Sequence, residues 1–300
     1  MKSTRVLYNQ NKLYSEVTSD AIYKNERNEF SIRLVFSGHE QYNIGNRDLN
    51  IYPGNFLVIN QDTVYDRKIY SYIPSNTFSV FFAPDFLSRF HSSMSNNEGE
   101  LLNDPFGVPK HIPSFLETIY PFNGHLMCNM LHLKEYFDNG EINDLLVDDY
   151  LHHALLLFYQ LYNREILAKS EQLSISNSRI RTEIFKRLSV AKDYMLSNYH
   201  QQVTLEDISN IACLSAPHLF RTFRQTFQCS PHQYLVKIRL DNARHLLKTT
   251  KYSLNEIVNL VGFTCASTFI KLFKKRFGHT PQNYRSKNPV MIYGEMRNTA

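Results

Sequence analysis

Thr204–Tyr234 reads TLEDISNIACLSAPHLFRTFRQTFQCSPHQY, and Ser253–Tyr284 reads SLNEIVNLVGFTCASTFIKLFKKRFGHTPQNY. The two stretches carry one design twice. Ile208 pairs with Ile257, Ile211 with Leu260 and Leu214 with Phe263, at an offset of 49. Leu219 then pairs with Phe269, Phe223 with Phe273, Phe227 with Phe277, Pro231 with Pro281 and Tyr234 with Tyr284, at an offset of 50. One residue has entered the second turn. An internal repeat sets the architecture before any single residue is weighed.

Each copy predicts a short helix, a turn and a second helix. Thr204 with Asp207, and Ser253 with Glu256, have capping-box spacing, which starts a helix by satisfying its free N–H groups. Gly262 supplies the positive φ that a tight turn requires. The second helices carry apolar residues at i, i+4 and i+8 (Leu219, Phe223, Phe227; Phe269, Phe273, Phe277), a buried stripe. Their other faces carry Arg221, Arg224, Lys271, Lys274, Lys275 and Arg276. A short helix, a tight turn and a basic second helix are the helix-turn-helix signature. A single copy also fits a small helical bundle with a solvated basic face. Two copies with matching caps and breaks favour the motif.

This stretch resembles the DNA-binding domain of the AraC family of bacterial transcription regulators. The matching residues are Pro231, Tyr234, Arg239, Ala243, Leu246 and Leu247, then Ile257, Gly262-Phe263, Phe269, Phe273-Lys274-Lys275, Gly278, Thr280-Pro281 and Tyr284-Arg285. They cover about a third of the chain. The resemblance implies two helix-turn-helix units on one long joining helix, with the two second helices entering successive major-groove segments. Gln228 stands where the family usually has glycine, and Val258 where it usually has alanine. A left-handed backbone at Gln228 costs on the order of 1 kcal/mol relative to glycine.

The family's contact positions map onto Pro217, Phe220, Arg221 and Arg224 in the first copy, and onto Ala266, Ser267, Thr268 and Lys271 in the second. Arg221 is the leading base contact, because Arg binds guanine bidentately. Phe220 has two readings, a thymine-methyl contact or inward packing. Arg224, Lys274, Lys275 and Arg276 are expected at phosphates, which set position rather than sequence. Arg239 is expected in a structural ion pair.

Charge supports this division. Residues 183–287 hold 16 Lys and Arg against 6 Asp and Glu, a balance of +10, which leaves −5 elsewhere in a chain of net charge +5. A basic block on an acidic remainder is the electrostatic footprint of nucleic-acid binding by one domain. Cys128, Cys213, Cys229 and Cys265 have no metal-type spacing and are expected as small buried residues in a reducing compartment. The N-terminal run has no signal-peptide pattern, and no segment is apolar enough to span a membrane, so a cytoplasmic protein is expected.

Residues 1–25 are polar and are expected to be loosely organised. Alternation predicts a strand at Phe30–Phe36, and further short strands are expected at Gln41–Ile44, Leu49–Tyr52, Asn55–Ile59, Asp66–Ile69 and Thr77–Phe82, separated by turn signals such as Pro53-Gly54. Many short strands at close spacing imply an antiparallel barrel or sandwich. The run to Leu87 is similar, more loosely, to the cupin-type sensor domain of many AraC-family regulators. A cupin enzyme would hold a metal with His and Glu ligands. Here Tyr65 stands where a histidine is often found, and His39-Glu40 has no further partner histidine. No metal, cofactor or catalytic residue is therefore expected. An AraC-type repair alkyltransferase would need reactive cysteines in this region, and none precedes Cys128.

Residues 92–112 read as a loop. Helices are expected at 124–137 and 143–167, the second apolar enough to pack on the barrel or on a second copy, and both alternatives stay open. Adjacent His152-His153 point apart on a helix and do not form a ligand pair. The expected fold is α+β: a cupin-like antiparallel barrel (1–120), a helical pair (121–168), a linker (169–182), an all-α domain (183–287) with helix-turn-helix units at about 204–228 and 253–277, and a tail (288–300). The expected protein is a sequence-specific transcription regulator. Its partners would be promoter DNA, an unidentified small-molecule effector, RNA polymerase if it activates, and a second copy if the helical pair dimerises. A constitutive DNA binder whose barrel only dimerises is the other reading.

Overall fold

A computed structural model describes residues 1–95, 112–140 and 143–287. They form two compact units, Met1–Gln172 and the residues from Leu173 onward.

The first unit is a nearly closed antiparallel β-barrel with helices against it. Its strands are β1 (Lys2–Val6), β2 (Lys12–Arg27), β3 (Phe30–Ser37), β4 (Glu40–Ile44), β5 (Arg47–Ile51), β6 (Asn55–Ile59), β7 (Val64–Phe82) and β8 (Ile119–Pro121). The path runs β1-β2-β7-β3-β6-β8, and β4, paired with β5, branches from β7. Strand β7 is the spine. Its first half pairs with the end of β2 (Ile22↔Lys68) and with β4 (Tyr42↔Arg67). Its second half pairs with the start of β2 (Leu13↔Val80) and with β3 (Ile32↔Val80). Register shifts between Thr18 and Asp20, and between Val35 and Ser37, mark where the strands turn. Bulges of this kind bend a sheet toward closure. Gly54 (φ +88°) makes the tight turn from β5 into β6.

Residues expected to be loose are therefore ordered: β1 and β2 lie within the first 27 residues. Their polarity hid them: β1 is mostly exposed, and β2 contributes to a buried polar cluster. Glu16 on β2 and Glu40 on β4 both bind the guanidinium of Arg67, and all three are buried. Burial pushes the Glu16 carboxyl up, but hydrogen bonds from Tyr23, Tyr14 and Arg67 outweigh it and hold the group below the usual range. Arg33 is buried among the hydroxyls of Ser31, Ser79 and Tyr65, with its guanidinium 4.3 Å from the Phe81 ring. Likewise the two strands expected at Asp66–Ile69 and Thr77–Phe82 are one, β7, because its pairing with β2 continues around the bend.

Helix α1 (Pro84–Ser95) occupies the start of the expected loop 92–112, and residues 96–111 lie outside the described residues. Helices α2 (Gly124–Asn139) and α3 (Asp144–Tyr162) form the expected pair, and α3 continues through a π-turn at Asn163–Leu167. Val147, Leu151, Ala154, Leu155, Phe158 and Leu161 bury one stripe of α3. Phe158 meets Phe30 of β3, Phe56 of β6, Phe115 and Tyr120 at ring distances of 5.0–6.3 Å. The intrachain contact considered above is thus present. Edge-to-face aromatic packing adds to its area burial.

A short α4 (Ala168–Glu171) ends the first unit. The second contains α5 (Ser178–Asn198), α6 (Leu205–Ile211), α7 (Ala216–Phe227), α8 (Pro231–Thr249), α9 (Leu254–Leu260), α10 (Ala266–Phe277) and α11 (Pro281–Lys287). Helix α5 begins at Ser178, capped by Asn177, rather than at Glu183. The tail 288–300 lies outside the described residues. Among the described residues, no helix is long and apolar enough to cross a membrane, and no group of three or more His, Cys, Asp or Glu is placed to hold a metal ion. Cys128, Cys213 and Cys265 are exposed and Cys229 is half-buried, so the expectation of buried cysteines fails: they sit at helix surfaces and turns.

Candidate DNA-binding surface

Both short first helices start from complete capping boxes. Thr204 Oγ1 accepts from Asp207 N–H (3.1 Å), and the Asp207 carboxylate accepts from Thr204 N–H (2.9 Å). Ser253 and Glu256 repeat the exchange at 3.3 and 2.6 Å. Those side-chain hydrogen bonds hold the Asp207 and Glu256 carboxyls below their usual range. The turns also match. Cys213 N–H reaches Asn210 O (3.1 Å) and Leu214 N–H reaches Ser209 O (3.0 Å); Gly262 and Phe263 do the same with Asn259 and Val258 at 3.0 Å. Both turn residues are left-handed, Cys213 at φ 51° and Gly262 at φ 81°. A Cβ on Gly262 would lie 2.6 Å from the Tyr199 carbonyl, so glycine there also permits close backbone approach.

The second helices dock on the same aromatic scaffold. Phe223 lies 4.4 Å from Phe227 and 5.5 Å, edge-on, from Tyr234. Phe273 lies 4.6 Å from Phe277 and 5.7 Å, edge-on, from Tyr284. Leu219, Phe223, Phe269 and Phe273 are fully buried. The joining helix α8 has its own capping box, Ser230 with Gln233. Its Arg239 donates to the carbonyls of Tyr199 (2.8 Å) and Gln201 (2.7 Å). The partners are backbone carbonyls rather than the carboxylate expected, because a planar fork can serve a helix C-terminus as well as an acid.

Burying these stripes decides what faces outward. At about 100° per residue, Ser267, Thr268, Lys271, Lys274 and Lys275 lie within about 60° of one line on α10. All five are exposed. On α7 the equivalent face holds Pro217, Arg221 and Arg224, also exposed. It further holds His218 and Gln225, which the sequence reading passed over. Shifting the second copy by 50 places them under Thr268 and Lys275, which is the signal that would have found them. Phe220, 41% exposed, is about 100° from Arg221, at the flank of this face rather than in the core. Ala266 is half-buried, toward the inward stripe. Arg276 lies about 140° from Lys271 and binds Asp241 of α8. The structure therefore brings together eight of the eleven residues named from sequence, and sets Phe220, Ala266 and Arg276 apart from them. One residue before α10, Cys265 has its Sγ 3.1 Å from the Ser267 hydroxyl, a hydrogen bond that pulls the thiol down to about 6.

Two helix-turn-helix units on one joining helix define the class of this fold. Comparison with known proteins agrees. Residues 208–287 match the family model described as a helix-turn-helix domain. The chain is 29% identical over 165 residues to the raffinose operon transcriptional regulatory protein RafR of Pediococcus pentosaceus, covering 54% of this chain and 56% of that protein. It is 29% identical over 160 residues to the lactose operon transcription activator of Staphylococcus xylosus, covering 53% and 52%. Among solved structures it is similar to the C-terminal domain of AraT, a response regulator from Geobacillus stearothermophilus, at 30% identity, with 36% of this chain and 89% of that one covered and a TM-score of 0.34. The chain spans about half the length of the curated relatives it matches. By the match over residues 208–287, the chain carries a helix-turn-helix domain and is similar there to proteins named as transcription regulators.

Proposed function

We propose that the protein is a cytoplasmic, sequence-specific transcription regulator that binds promoter DNA through α7 and α10. The observation that carries this reading is the repeated exposed face: Pro217, Arg221 and Arg224 on one helix, and Ser267, Thr268, Lys271, Lys274 and Lys275 on its counterpart. Arg221, Ser267, Thr268 and Lys271 read base edges, and Arg224, Lys274 and Lys275 meet phosphates. Phe220 and Ala266 contribute at most from the flanks, and Arg276 is committed to Asp241. The barrel senses a small molecule or a partner, which biases DNA binding only by binding two states of the protein unequally. Raffinose and lactose operons appear in the names of two relatives, so oligosaccharides are the first effectors to screen by thermal shift. RNA polymerase is the further partner of an activator, and the outer face of α3 is the place for a second copy. Selection of genomic DNA by the purified protein at low and moderate salt tests the reading. Enrichment of sites with two short half-motifs about one helical turn apart supports it. Salt-sensitive binding without a shared motif sinks it.

A further inference from the structure

The two recognition helices are attached to the joining helix differently. Arg276 of α10 reaches Asp241 of α8 with both ends of its fork, Nε to Oδ1 at 3.3 Å and Nη2 to Oδ2 at 2.8 Å. Arg244, one turn along α8, stands 4.0 Å from the same carboxylate. Both guanidinium groups lie against the Phe277 ring, at 5.1 and 5.4 Å. In the first copy the position of Arg276 is taken by Thr226, which is 1% exposed and too short to span to a neighbouring helix as a fork. Isolated exposed ion pairs contribute little to stability. A bidentate pair, shared with a second arginine and seated on a ring, instead fixes direction.

We propose that Asp241 and Arg276 form a positioning clamp that sets the angle of α10 on α8, and with it the spacing between the two half-motifs the protein accepts. The inference rests on the DNA-binding reading above. In it, Arg276 is not a phosphate contact although it lies in the run Lys274-Lys275-Arg276. The helical phase carries the argument. Lys274 and Lys275 share the Lys271 face, whereas Arg276 faces the joining helix. Thr226 gives the first unit no such fork, so the clamp acts on the second unit alone.

The test uses the full chain and a DNA library in which two half-motifs are placed at every spacing around one helical turn, across a salt series. The wild type is expected to select one narrow spacing. Arg276→Ala and Asp241→Ala are both expected to broaden that selection, with the log–log salt slope unchanged. The charge-reversed pair, Asp241→Arg with Arg276→Asp, is expected to restore the narrow selection, which separates the clamp from simple misfolding. A salt slope lower by about one in Arg276→Ala, with spacing unchanged, overturns the clamp and makes Arg276 a phosphate contact. Unchanged spacing in Asp241→Ala also overturns it. If the wild type itself selects no paired half-motifs, the regulator reading fails and the clamp with it. If the wild type selects them and both single variants keep the wild-type spacing, the clamp alone fails.

Discussion

The helix-turn-helix formed by α6 and α7 and the one formed by α9 and α10 keep the same core with different backbone chemistry. Phe223, Phe227 and Tyr234 superpose in kind on Phe273, Phe277 and Tyr284, with ring distances that differ by less than about 1 Å. The left-handed positions do not match. The second unit has glycine at both, Gly262 and Gly278, while the first has Cys213 and Gln228 at φ 51° and 57°. A left-handed non-glycine residue costs about 1–2 kcal/mol. The first unit tolerates two of them, which shows that the aromatic core and the capping box determine the motif and that the turn residues only tune it. The outward faces also differ, with two arginines on α7 and three lysines on α10. Arginine supplies planar bidentate recognition, and lysine a mobile point charge. On the proposed reading, α7 thus offers planar bidentate contacts where α10 offers point charges beside the Ser267 and Thr268 hydroxyls.

The largest effect should come from the shared core. Phe223→Ala and Phe273→Ala are each expected to lower stability by about 3–5 kcal/mol, measured by denaturant unfolding followed by helical signal. A much smaller loss at one of them would break the equivalence of the two cores. Next, Gly262→Ala is expected to cost about 2–3 kcal/mol, because it adds a Cβ against the Tyr199 carbonyl at a strained φ. At the equivalent site, Cys213→Gly should raise stability by about 1 kcal/mol, since it relieves a left-handed non-glycine residue. DNA binding comes third. Arg221→Ala is expected to cost about 1–3 kcal/mol and relax base preference at one position, whereas Lys274→Ala should weaken all sequences alike and lower the salt slope by about one. Titration of both variants against matched and mismatched sites separates the two roles. Fourth, Gln228→Gly should raise stability by about 1 kcal/mol, and Gly278→Ala should lower it by a similar amount.

The smallest effect concerns the caps. Asp207 and Glu256 have folded pKa values below their unfolded ones, so their contribution is present above the ordinary carboxylate range and is lost as pH falls through the folded values. Thr204→Ala and Ser253→Ala should each flatten that acid limb of the stability curve. An acid limb unchanged in both variants would assign it to other carboxylates, with Glu16 in the barrel the first to test.

The C-terminal unit was legible from sequence because its information is local. Caps, breaks and the i, i+4, i+8 stripe lie within one helix each, and the repeat states them twice. The contact of Arg276 with Asp241 was not legible, for the opposite reason. In the string Lys274-Lys275-Arg276 the three cations look alike, and only the helical phase against a buried stripe separates the third from the others. The barrel was legible in class and in its central strands, where apolar alternation marks β3 and a short apolar run after Pro53-Gly54 marks β6. It was not legible in β1, which is mostly exposed, or in β2, where Glu16 meets Arg67 and Tyr23 while the adjacent Ser15 meets Lys134, so that polar residues occupy both faces and the apolar alternation is lost.

Residue order by itself determined the doubled helix-turn-helix, its capping boxes, its left-handed turn at Gly262 and the segregation of positive charge into one domain. The caps and turns follow from neighbours a few positions apart, the doubling from a repeat at an offset of 49 to 50, and the charge division from a count over residues 183–287. Tertiary structure alone decided that Glu16, Glu40 and Arg67 meet inside the barrel, that β7 is one bent strand, and that Asp241 holds Arg276 away from the Lys271 face. Those arrangements join residues 24 to 51 positions apart in the chain. Their energy depends on distance and desolvation in the folded state, which no local pattern of side chains encodes.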